Sequence, residues 1–196
     1  MISKKSTLVL SKPLEGKKEF LDSTIARTTK ENKAVLFVLT DKNPETAKQE
    51  LLKEKIFFKN LYFIDCFSLQ AGNADAKDTE NVKYVSGPLA LNELSIAIGE
   101  FGREFLKKEF EYVIIFDSLS TLLMYSNADA IARFLQILIA KIKNLNGSVV
   151  FTLEQGMHDE KAVVTIEHLM DSIIEVKKEN SKVFSKENGG SWTELK

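Results

Sequence analysis

Apolar positions along this chain follow two alternating rhythms. Short runs of aliphatic, β-branched and aromatic residues recur at 7–10, 34–39, 62–67, 112–116, 148–153 and 172–176. Their near-continuous apolarity predicts strands buried on both faces, as in parallel sheets. Between them the period lengthens. Leu91, Leu94, Ile98, Phe101 and Phe105 share one helical face, as do Ile131, Phe134, Leu135, Leu138, Ile142 and Leu145. Asn43-Pro44 predicts a capped helix that closes at Leu51 and Leu52, and Asn146-Gly147 predicts a helix stop. Strands alternating with helices predict an α/β fold, with a mainly parallel central sheet and helices on both faces. The polar, aperiodic 68–87 stretch reads as a surface loop with at most one short element. The Lys/Glu-rich tail, 178–196, reads as a short hairpin turning at Asn188-Gly189 or as a frayed end. One domain with a core over about 6–177 is expected.

Composition narrows the partners more than the chemistry. The 196 residues carry 27 basic and 28 acidic side chains, a net charge of −1, which predicts no electrostatic attraction to nucleic acid or anionic lipid. The cations are almost all lysine; Arg27, Arg103 and Arg133 are the arginines. Cys66 reads as a small buried apolar side chain, and one cysteine with two histidines makes no zinc cluster. No apolar run has the length of a membrane span and the first residues lack a signal-peptide core, so a cytoplasmic protein is expected.

Two strand ends carry candidate chemistry. Tyr112-Val113-Ile114-Ile115-Phe116 ends abruptly in Asp117-Ser118, which places an acid at the sheet rim where α/β folds bind ligands. The alternative is a buried strand whose Asp117 starts a turn or caps the next helix, with Asp117 and Ser118 satisfying backbone N–H groups there. The other end is Ser6 to Leu10, followed by Ser11-Lys12-Pro13-Leu14-Glu15-Gly16-Lys17-Lys18 and a helical segment. Strand, tight loop, Gly-Lys and helix is the layout of a phosphate-binding loop, G-x-x-x-x-G-K-[ST]. There, backbone N–H groups receive phosphates, the Lys reaches the β and γ oxygens, and the hydroxyl holds magnesium. Gly16 and Lys17 fit, Ser11 stands at the first Gly, and Lys18 replaces the hydroxyl.

From about Thr7 to Val176 the chain resembles the KaiC-like branch of the RecA-like P-loop ATPases, found among archaeal signal-transduction proteins. The resemblance is carried by Tyr84-Val85-Ser86-Gly87-Pro88-Leu89, by Ile114-Ile115-Phe116-Asp117-Ser118-Leu119-Ser120-Thr121 as a Walker B strand and turn, by Val149-Val150-Phe151-Thr152, and by Leu169-Met170-Asp171-Ser172-Ile173-Ile174-Glu175. It implies a RecA-like P-loop fold and a site for ATP or ADP with Mg2+. The nucleotide-binding positions would be Ser11, Gly16, Lys17, Lys18, Asp117 and Ser118, with Asp117 holding the metal through water.

Three departures bear on catalysis. Lys18 has no acceptor atom and brings a positive charge toward the metal position. The resemblance places a glutamate after the second strand, where this chain has Thr40-Asp41-Lys42; Asp41 is a weak substitute, or a cap for the helix from Pro44. The basic finger that hexameric relatives supply after the last core strand is reduced to Lys177, Lys178 and Lys182. Phosphoryl transfer needs positioned positive charge and a positioned nucleophile, so the combination predicts no efficient hydrolysis. Lys17 or Lys18 paired with Asp117 would then fill the site internally. Thr152, Glu154 and Gln155 are polar candidates at the next strand end. Ser118, Ser120, His158 and Asp159 include the side chains of a hydrolase triad but lack the glycines of a nucleophile elbow.

The expected function is a regulatory or scaffold protein with a degenerate nucleotide site, docking to a protein partner or to itself. Its rivals are an oligomeric ATPase using Lys17, Asp117 and Asp41, and a nucleic-acid-associated recombinase paralogue. The balanced charge and scarce arginine disfavour the last.

Overall fold

The strand-forming runs pair into a nine-stranded sheet in the computed structural model, which describes residues 5–73 and 75–195. Along the chain the elements are β1 (Ser6–Ser11), α1 (Lys17–Lys30), β2 (Ala34–Leu39), α2 (Pro44–Lys53), β3 (Leu61–Asp65), β4 (Val82–Tyr84), α3 (Leu91–Lys107) and β5 (Tyr112–Asp117). There follow α4 (Leu119–Tyr125), α5 (Ala128–Asn144), β6 (Ser148–Glu154), α6 (Glu160–Glu167), β7 (Ser172–Glu179), β8 (Lys182–Glu187) and β9 (Thr193–Glu194). The spatial order is β4-β3-β2-β5-β6-β1-β7-β8-β9. Every pair from β4 to β7 is parallel; β8 and β9 add antiparallel strands beyond β7.

Successive side chains of a strand point to opposite faces, so each apolar run feeds two cores. Leu8, Leu10, Leu36, Val38, Ile114 and Phe116 face one way, under α3, α4, α5 and α6. Val9, Val35, Phe37, Leu39, Val113 and Ile115 face the other, under α1 and α2. Helices therefore cover both faces, as the apolar pattern predicts. Asn43 caps α2 by accepting from Thr46 N at 2.9 Å, and Gly147 N closes the end of α5 on Ile142 O at 3.0 Å. No helix among the described residues is long and apolar enough to cross a membrane.

Register sets the rim. Leu39 lies level with Asp65 on β3 and with Asp117 on β5, and Ser11 lies level with Glu154 on β6 and Val176 on β7. Because β6 is inserted between β5 and β1, the end of β6 stands between the acid of β5 and the loop after β1.

Three features go beyond the apolar pattern. The polar 68–87 stretch contains β4, which pairs with β3. A helix, α4, begins immediately after Ser118, where the sequence leaves a turn or a capped helix open. Finally, β7 runs to Glu179 and turns through Asn180 and Ser181, both with positive φ, into β8. β8 then pairs with β9 around Asn188 and Gly189, also at positive φ.

Candidate functional site

The loop after β1 is built by backbone conformation. Leu14 and Gly16 adopt left-handed φ values of 64° and 89°, and Glu15 N donates to Lys12 O at 3.1 Å. Left-handed residues interspersed in a turn make successive N–H groups converge, the geometry of an anion-binding nest. Gly16 precedes α1 directly, so the loop and the positive end of the helix macrodipole coincide. Space as well as φ demands glycine. A Cβ on Gly16 would stand 2.9 Å from Val183 Cγ1 and 3.1 Å from Val176 Cγ1, so the β7–β8 hairpin lies against the loop. Lys178 anchors that hairpin to α1 by pairing with Glu19.

Lys17 does not extend into the loop. Its ammonium donates to Asp117 Oδ1 and to Glu154 Oε1, each at 3.0 Å. Burial alone would depress the Lys17 pKa; Asp117 and Glu154 together outweigh it and hold the ammonium above its ordinary value. Asp117 is 5% exposed, and its Oδ1 also accepts from the Thr152 hydroxyl at 2.8 Å. The Glu154 main chain is fixed in turn, its N–H donating to Ser120 Oγ at 2.9 Å.

Lys18 departs from its expected place. Its ammonium turns away from Asp117 to Asp22, one helical turn on (2.6 Å), and to Glu54 at the end of α2 (3.2 Å). Asp117 is already occupied by Lys17, and two carboxylates lie nearer to hand along α1 and α2. Lys18 therefore brings no positive charge to Asp117. Ser11 places a buried hydroxyl with no hydrogen-bond partner beneath the loop, while its carbonyl accepts from Gln155 N at 2.8 Å.

The turn after β5 is held by threonine. Thr40 Oγ1 donates to Asp117 O (2.9 Å), accepts from Ser118 N (3.0 Å), and lies 3.0 Å from the Thr121 hydroxyl. The Asp117–Ser118 peptide is cis. The Asp117 carboxylate thus takes no part in satisfying the turn. Asp65, level with it at the end of β3, does satisfy its own turn, accepting from Phe67 N, Ser68 N and Ser68 Oγ within 2.8 Å.

Asp41 does not cap α2, because Asn43 already does. It lines a cavity of about 210 Å³ with Lys17, Lys18, Asp22, Lys42, Glu50 and Asp117. Desolvation and the Asp117 charge push its carboxyl up, against the opposing pull of Lys42 and Lys17. Lys42 itself reaches Glu50 at 2.8 Å. Every lysine of this cavity is thus engaged by a carboxylate. The lysines after the last core strand are engaged too: Lys177 by Glu179, Lys178 by Glu19 and Lys182 by Glu194. His158 lines a different cavity with Asp159, and the Ser118 hydroxyl has Thr121 as its neighbour, so no triad assembles. Among the described residues no cluster of three His, Cys, Asp or Glu side chains is placed to hold a metal ion.

Sequence reasoning singles out Asp117 and Lys17. It leaves Glu154 as one polar residue among several and passes over Thr40. The signal that separates Glu154 is topological, since it ends the strand inserted between the two motif-bearing strands.

The model of a family of unknown function, DUF7504, matches residues 5–176. No curated protein matches the chain. Among solved structures, the chain is similar to the uncharacterized protein PH0321 from Pyrococcus horikoshii, crystallised in complex with an unknown peptide. The TM-score is 0.72 at 12% identity, covering 100% of this chain and 94% of that one. It is also similar to the flagellar accessory protein FlaH from Methanocaldococcus jannaschii, with a TM-score of 0.63 at 18% identity, over 97% of this chain and 83% of that one. The fold is RecA-like.

Proposed function

The chain belongs to the DUF7504 family, and from the geometry of its rim we propose that it is a KaiC-like, RecA-fold regulatory or scaffold protein whose nucleotide site is closed by internal ion pairs. It acts by docking to a protein partner and does not hydrolyse ATP efficiently.

One observation carries this reading: Lys17, the residue that would grip the β and γ phosphates, is shared between Asp117 and Glu154 at 3.0 Å each. A triphosphate would have to break both pairs and then lie beside two carboxylates, which opposes binding by like charge. The donor set does not suit a nucleotide-bound magnesium ion either. Lys18 offers no oxygen, and Asp117 Oδ1 already accepts from Lys17 and Thr152. Partner docking agrees with the peptide bound to the Pyrococcus protein and with the accessory role in the name of FlaH.

Steady-state hydrolysis of ATP by the purified protein, with magnesium, tests the reading. No turnover above background is expected, for the native chain or for Lys17→Ala. Turnover that Lys17→Ala abolishes would establish an ATPase and overturn it.

A further inference from the structure

Beside the ion-paired cavity the same rim opens into a groove of about 430 Å³. Its lining includes Phe67 after β3, Pro88 before α3, Thr121, Met124 and Tyr125 on α4, and Asp41. Large apolar side chains stand in solvent here: Phe67 is 37% exposed, Met124 60% and Tyr125 66%. Contiguous exposed apolar surface with a polar edge marks an interaction site more often than scattered apolar residues do.

The charge in the groove is one-sided. Asp41 is its single ionisable acid or base of standing charge, and it makes no ion pair among the described residues, because the adjacent Lys42 reaches Glu50. Asp41 also feels the repulsion of Asp117, which the charges of Lys42 and Lys17 oppose without pairing with it. An apolar ligand would desolvate Asp41 without compensation. A phosphate-bearing ligand would meet a carboxylate. A cation flanked by apolar groups satisfies both features, since its charge meets Asp41 while aromatic and thioether side chains accept its apolar neighbours.

We propose that this groove docks a protein segment presenting a lysine or arginine between apolar side chains, with the cation on Asp41 and the apolar residues against Phe67, Met124 and Tyr125. The proposal rests on the reading of the chain as a partner-docking protein and names the chemistry of that partner. Asp41 also lines the ion-paired cavity together with Asp117 and Lys17. A bound cation there relieves the repulsion between the two aspartates, so occupation of the groove is sensed at the degenerate site.

Amide NMR of the full chain, titrated with acetyl-Phe-Arg-Leu-amide, tests it; acetyl-Phe-Glu-Leu-amide serves as the control. Saturable shifts are expected at residues 40–41, 67–71 and 121–125 with the basic peptide and not with the acidic one. Asp41→Asn should weaken the basic peptide about tenfold, the loss typical of one charge-assisted hydrogen bond, with the remaining spectrum unchanged. Equal binding of the acidic peptide, undiminished binding to Asp41→Asn, or no shift at the solubility limit would each overturn the proposal. So would concentration-dependent broadening of these same amides without peptide, which would assign the groove to a second copy of the chain. A protein that turns over ATP and still binds the basic peptide here refutes the regulatory reading and keeps the groove. One that does neither refutes the groove alone.

Discussion

Lys17 occupies a position where a positive charge is useful only if it is available, and two carboxylates make it unavailable. With the ammonium removed, Asp117, 5% exposed, and Glu154 would face each other across a vacant position. Stripping one partner from a buried pair costs about 3–5 kcal/mol. Here the Lys17 side chain is 20% exposed, so Lys17→Met is expected to lose about 2–4 kcal/mol, read from urea unfolding at neutral pH. Glu154→Gln leaves the Asp117 pair in place and should cost under about 1 kcal/mol. The sign of the pH dependence follows from the raised Lys17 pKa. The contribution of the pair is fully present below the unfolded value of 10.5 and is lost as pH climbs through the higher folded value. On the alkaline side the stability gap between native protein and Lys17→Met should therefore persist up to the unfolded value of 10.5 and narrow only above it, and a gap that closes between neutrality and that value would refute the pairing. From the residues alone, Lys17 and Asp117 are legible because each ends or follows an apolar run. Glu154 is not, since Thr152, Glu154 and Gln155 look alike until the order of strands puts one of them against Lys17.

The element that most changes the meaning of the loop is the hairpin that covers it. β8 contributes a single buried apolar residue, Val183, to the core under α1. That is why a Lys/Glu-rich tail conceals a strand of the sheet: its inward face is almost one side chain wide, and turn residues at 180–181 and 188–189 compete for the reader's eye. The central strands are legible for the opposite reason, since burial on both faces leaves no room for polar residues. The helix after Asp117 cannot be told from a turn in the sequence, because seven residues are too few to show a period. Contact between Val183 and Gly16 gives a test at this scale. Gly16→Ala forces a side chain into a left-handed backbone, at about 1–2 kcal/mol, and against Val183 Cγ1, at about 1–3 kcal/mol. Val183→Ala removes the second cost and not the first. In a double-mutant cycle by denaturant unfolding, the two substitutions should couple by about 1–2 kcal/mol. Strict additivity would mean that the hairpin does not rest on the loop.

Across the whole molecule, charge is balanced at 27 basic against 28 acidic residues, yet the ion-paired cavity and its margins gather Asp22, Asp41, Glu50, Glu54, Asp117 and Glu154 around Lys17, Lys18 and Lys42. On the reading proposed above, the loop, the helix end and the parallel sheet would serve a nucleotide while the charges around them oppose it, so the architecture and the local electrostatics disagree. A few side chains settle the outcome, which makes it reversible in principle. Native protein heated with magnesium and ATP is expected to melt at the same temperature as without them. Lys18→Thr with Glu154→Gln supplies a hydroxyl at the loop, removes one carboxylate from Lys17 and leaves Asp117 in place. If the backbone cradle is still competent, this variant gains nucleotide-dependent stability. Ligand at 100 times its Kd adds about 2.7 kcal/mol, a rise of about 5–10 °C for a domain of this size. A native chain that already shifts with magnesium and ATP would show that the ion pairs yield to phosphate. A double variant that gains nothing would place the defect in the loop backbone under the hairpin, because the substituted side chains would then no longer account for the silence of the site.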